Sequence, residues 1–170
     1  MDTAMSEEKL REVFDRITRE VTQNSVGIQL VQNDCPPGDD LCTVHISFEK
    51  GFRSSLSLRA NTAMLTRLTQ SMLREEKVTP QDLEDVTKEY FNVLCGRIAK
   101  ALYEATKVAS RFNVPAFYHG SFSPEDHTEQ FVLGYSGAQD EAAQLVHHIP
   151  APPQPGSAPD QTNLKERGDA

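Results

Sequence analysis

TPQDLEDVTKEYFNVLCGRIAKALYEATK, residues 79–107, reads as one unbroken helix. Thr79 is a good N-cap, Pro80 suits the first helical position, and Asp82 stands where the acid of a capping box belongs. At about 100° per residue, Leu83, Val86, Tyr90, Leu94, Ile98, Ala101 and Ala105 form one stripe, the expected core face. Asp85, Glu89, Asn92, Gly96, Ala99 and Tyr103 fall on the opposite side. Exposed carboxylates on a helix need no special explanation. Asn92 and Gly96 do, because each is unfavourable by roughly 0.5–1 kcal/mol against Ala in a helix interior. A glycine removes bulk, so another surface can approach the backbone, and an Asn beside that gap can reach into a partner. The row has the character of a docking ridge.

Ser6 can cap an earlier helix, with Glu7 and Glu8 in its first turn and Leu10, Val13, Phe14, Ile17 and Val21 at helical spacing; it should end near Asn24. A short strand is expected at 27–32 and a loop at 34–40. Residues 41–51 and 52–60 alternate as two strands joined by a tight turn near Lys50–Gly51. Asn61 caps a second helix over 61–76. After the long helix, 114–122, 130–137 and 142–149 read as strands, the last two paired across the Gly137–Glu141 turn. The order helix, strands, helix, helix, strands predicts an α+β fold: an α/β sandwich of helices packed on a largely antiparallel sheet. Residues 1–149 make up the domain. Residues 150–170 hold five of the ten prolines and little to bury, so a disordered Pro-rich tail is expected there.

A chain of 170 residues can bury one real core. Its net charge of −8 argues against nucleic acid and against an anionic membrane surface. No apolar run approaches the roughly 20 residues that span a bilayer. MDTAMSEEKLREVF lacks the basic start and apolar stretch of a signal peptide, so a cytoplasmic protein is expected. Three cysteines without a close pair do not make a disulfide framework or a structural zinc site. Cys95 adjoins the ridge, but the C-x5-R signature of a cysteine phosphatase needs Arg at 101, where Ala stands. The five histidines show no ligand spacing, and His147 and His148 in a strand would point to opposite faces. No P-loop, HExxH or GxGxxG is present.

Asp85-x3-Glu89-x2-Asn92-x22-Pro115, with Gly96 four residues after the Asn, resembles the motif of the CheC/CheX family of chemotaxis phosphatases. From average residue usage a chance match is rare, on the order of one in several hundred chains of this length. There is one motif, as in CheX; the helix over 61–76 has no Glu-x2-Asn, so it is read as structural. The resemblance spans roughly residues 8 to 149. It implies a CheX-like fold and a phosphatase that hydrolyses the aspartyl phosphate of a CheY-like response regulator. It also implies roles: Asn92 positions the attacking water, Glu89 pairs with the regulator's active-site lysine, Asp85 and Gly96 serve docking, and Pro115 is structural. By the same resemblance the protein needs no cofactor or metal of its own, Mg²⁺ residing in the phosphorylated receiver, and it forms a homodimer by strand pairing through 114–122 or 130–149. Two rivals share these residues: a non-catalytic binding module that docks a receiver or another signalling protein, and a plain structural domain.

Overall fold

Ser6 accepts a hydrogen bond from the Lys9 amide and starts helix α1 (Glu7–Val26), which Gly27 ends in the left-handed conformation at φ 69°. The computed structural model describes residues 5–151. A two-residue strand β1 (Val31–Gln32) follows, then β2 (Leu41–Lys50), β3 (Ser55–Asn61), α2 (Thr62–Leu73) and α3 (Pro80–Thr106). Four more strands follow among the described residues: β4 (Arg111–Phe112), β5 (Ala116–His119), β6 (His127–Ser136) and β7 (Ala142–Pro150).

All pairings are antiparallel, in the order β1-β6-β7-β3-β2-β4, with β5 also paired to β2. Alternation along the strands splits the residues between two faces. Val44, Ile46, Leu56, Leu58, Leu145 and Leu133 join α1, α2 and α3 in one hydrophobic cluster. Val146 is equally buried but lies outside that cluster, on the opposite face with His45, Ser57 and His148. His147 and His148 part in the same way. The ring of His147 packs edge-on to Phe14 of α1, while His148 hydrogen-bonds Ser57 on the other face. The expected α+β architecture, helices on a largely antiparallel sheet, is the one observed.

Several boundaries differ from the sequence expectations. The strand expected at 27–32 pairs only at Val31 and Gln32; Ile28 and Leu30 alternate into the core between exposed Gly27 and Gln29, but no strand pairs with them. The helix expected to 76 ends at Leu73, where Arg74 turns left-handed at φ 57°. The turn near Gly51 takes four residues, 51–54; a Cβ on Gly51 would lie 2.2 Å from the Ala109 carbonyl oxygen. Of the strand expected at 114–122 only Ala116–His119 pairs, as β5; β4 at Arg111–Phe112 was not expected, and Asn113–Pro115 lie between the two. β7 runs through Pro150, one residue into the expected tail; the remainder of that tail expectation, 152–170, lies outside the described residues.

Candidate functional site

The site is built on α3. Thr79 accepts a hydrogen bond from the Asp82 amide and donates its own amide to the Asp82 carboxylate, both at 3.0 Å, the reciprocal capping box. Val86, Thr87, Tyr90, Phe91, Leu94, Cys95, Ile98 and Leu102 bury the helix, each large apolar side chain contributing about 2 kcal/mol. Tyr90 is wholly enclosed, its hydroxyl bonded to Thr22 of α1, and burial pushes its pKa up to about 12. These contacts fix the rotation of the helix and so the direction of its far side.

On that far side Asp85, Glu89 and Asn92 are exposed and Gly96 is half-buried. Gln81 donates a hydrogen bond to the Asp85 carboxylate at 2.9 Å, steadying it. Among the described residues, the Glu89 carboxylate and the Asn92 amide have no hydrogen-bond or ion-pair partner, so both are available to a ligand. A Cβ on Gly96 would meet nothing within 4 Å, so the space above it is open. The row expected on the helix wheel is therefore present from Asp85 to Gly96, and Tyr103 beyond it is exposed as expected. Ala99 packs against the core, whereas Ala105, expected in the core stripe, is exposed. The buried arc is rotated towards Phe91, Cys95 and Leu102 because α3 lies against other helices as well as the sheet.

Asp85, Glu89, Asn92 and Pro115 all line one open groove of about 710 Å³. The spacing that singled out Pro115 in the sequence is thus a spatial adjacency. The groove's second wall comes from the sheet edge. β2 carries β4 along Phe48–Lys50 and β5 along Cys42–His45, and the edge is interrupted between them at Asn113–Pro115. Proline has no N–H to give the ladder. Asn113 instead clasps β2, its amide donating to the Ser47 carbonyl and its side-chain oxygen accepting from the Ser47 amide, both at 3.0 Å. This break in the edge faces the ridge of α3.

Glu49, Lys88, Arg111, Phe112, Asn113 and Val114 line the groove too, and sequence reasoning did not find them. Arg111, Phe112, Asn113 and Val114 had the signal of nearness to Pro115 and Lys88 that of nearness to Glu89; Glu49, on β2, had none. Lys88 is paired to Glu84 at 3.1 Å. Cys95 is enclosed within the core, and desolvation pushes its thiol well above the ordinary value, so it is neither exposed nor ionised. Among the described residues no group of three His, Cys, Asp or Glu is placed to hold a metal, and no helix is long and apolar enough to cross a membrane.

Known proteins share this architecture. The family model described as chemotaxis phosphatase CheX matches residues 42–133. No curated protein sequence matches the chain. Among solved structures, the chemotaxis protein CheX from Vibrio vulnificus is 16% identical, with a TM-score of 0.69 over 85% of this chain and 98% of that one. CheX in the CheX–CheY–BeF₃–Mg²⁺ complex from Borrelia burgdorferi is 13% identical, at 0.65 over 82% and 96%. The FliM middle domain from Vibrio alginolyticus, 10% identical, reaches 0.54 over 84% and 92%. At these identities the structures share the fold; the family match, covering more than half the chain, decides the family. The chain belongs to the CheX family of chemotaxis phosphatases.

Proposed function

We propose that this protein hydrolyses the aspartyl phosphate of a CheY-like response regulator by inserting Asn92 into the receiver's phosphorylated site. The observation that carries this reading is the convergence of Asp85, Glu89, Asn92 and Pro115 on one groove, with Glu89 and Asn92 unpaired. Phosphoryl transfer asks a protein mainly for positioning and charge stabilisation. The receiver brings Mg²⁺ and a lysine; the missing part is an oriented water. The Asn92 amide can accept from that water and donate to a neighbour without carrying charge into an anionic site. The water attacks phosphorus opposite the aspartyl oxygen, the carboxylate leaves, and inorganic phosphate is released. Glu89, one helical turn away, pairs with the receiver lysine and sets the insertion depth. Asp85 supports docking. The reading carries with it a cytoplasmic homodimer with no cofactor of its own.

A docking module without turnover is the second reading. It is favoured by the FliM middle domain sharing the fold, since fold alone does not carry a reaction. Mixing the protein with a phosphorylated, Mg²⁺-bound CheY-type receiver separates the two. Turnover predicts accelerated loss of phosphate, reduced by about 10²-fold or more in Asn92→Ala with the fold unchanged, because the side chain is exposed. No acceleration by the native protein leaves only the docking module. Acceleration that survives Asn92→Ala removes the mechanism and keeps the enzyme. In Glu89→Ala, affinity should fall more than the turnover of bound complex.

A further inference from the structure

We infer that Val114 is the apolar anchor by which the groove grips a receiver domain, a partner that rests on the phosphatase reading above. Val114 is 82% exposed, far more than Val93 at 40% or Tyr103 at 48%. A single exposed valine would ordinarily mean nothing. Its position gives it meaning. It lines the groove that holds Glu89 and Asn92, and Val93 follows Asn92 directly on α3. Val93 does not line the groove, so Val114 is the exposed valine that shares it with the amide the proposed chemistry uses.

Val114 is also held still. Phe112 on one side is paired to Phe48, Asn113 is clasped twice to Ser47, and Pro115 on the other side has a fixed φ and leads into β5. A β-branched side chain between two pinned residues has little freedom left to lose on docking, and pre-organisation of this kind converts contact into affinity. Glu49, Asp85, Glu89 and Arg111 line the same groove, so the apolar contact has polar neighbours, as the core of an interface has a polar rim.

The same exposure selects the class of substrate. A small acyl phosphate bound at Asn92 would leave an 82% exposed side chain in water, with nothing gained from it. A folded receiver whose surface closes over the groove would bury it. The anchor thus belongs to recognition of a phosphoprotein, and it acts on affinity and not on the chemical step.

The test uses the full chain and a purified CheY-type receiver phosphorylated in the presence of Mg²⁺. Val114→Thr, which keeps shape and backbone preference, and Val114→Asp are compared with Val114→Ile. The half-saturating receiver concentration should rise about tenfold or more in Val114→Asp and less in Val114→Thr, with the maximal rate unchanged; tenfold corresponds to about 1.4 kcal/mol. Val114→Ile should behave as native, and all three should melt as native. Native half-saturation in Val114→Thr and Val114→Asp overturns the anchor, as does a drop in maximal rate without change in half-saturation. The receiver carrying BeF₃⁻ and Mg²⁺ is titrated in parallel. If the native protein binds it but hydrolyses nothing, the phosphatase reading fails, and weaker binding by Val114→Asp still supports the anchor. If native protein and Val114→Asp bind it equally, the anchor fails whatever the catalytic result.

Discussion

Asn92 and Gly96 are the two residues whose cost could be read before any contact was known. Each lowers helix propensity, and neither is repaid inside the fold: Asn92 bonds to no described residue and Gly96 faces empty space. That combination makes Gly96→Ala a sharp probe. The added methyl meets nothing within 4 Å, so the substitution should raise stability by about 0.5–1 kcal/mol in urea unfolding. If a partner approaches the helix backbone at this point, dephosphorylation should fall several-fold in the same variant. A stabilised variant with native activity would show that nothing docks there. The other groove residues were not legible in this way. Val114 and Arg111 carry no propensity penalty, and their role depends on where the sheet edge breaks.

At the scale of the element, the start of α3 was legible to the residue because it is chemically marked. The Thr79–Asp82 box and Pro80 define it, whereas the stop, where Lys107 turns left-handed at φ 61°, carries no glycine or other mark. Thr79→Ala removes the hydroxyl that accepts from the Asp82 amide, and should cost about 1 kcal/mol in chemical denaturation. Turnover per folded molecule should stay native, since Thr79 does not line the groove. A loss below a few tenths of a kcal/mol would mean that packing alone holds the first turn. The strand expected at 114–122 was less legible. Its alternation is real, but Pro115 cannot join a ladder and Asn113 spends its hydrogen bonds on Ser47, so pairing resumes only at Ala116. Local pattern indicates that a segment can be a strand, and the partner's register decides how much of it pairs.

At the scale of the whole molecule, the sheet buries three histidines that no single element would have buried. His45 and His148 share Ser57, at 2.7 and 3.0 Å, and His147 lies among Phe14, Phe52 and Phe131 on the helix side. Desolvation is the largest cause in each and all three pKa values fall to about 4; neighbouring histidine charge lowers His45 and His147 further, while at His148 Glu129 opposes the shift and Arg59 adds to it. In the unfolded chain they would protonate near 6.5, so between pH 6.5 and 4 the unfolded state binds the extra protons. Stability should therefore be full above pH 6.5 and fall as the pH drops towards 4, with a slope of up to about 4 kcal/mol per pH unit near the middle. Urea unfolding at pH 7 and pH 5 checks this, and His148→Gln should reduce the drop by roughly a third. Equal stability at the two pH values would contradict the burial. The sequence by itself determined the helices, their caps, the α+β class and the spacing that joins Asp85, Glu89, Asn92 and Pro115, because these follow from propensity, period and composition along the chain. Only the tertiary structure decided that the sheet edge opens opposite Asn92, that Val114 stands exposed at that opening, and that three histidines are held neutral. Those outcomes depend on which strands pair and in what register, and pairing is settled by burial across the whole molecule.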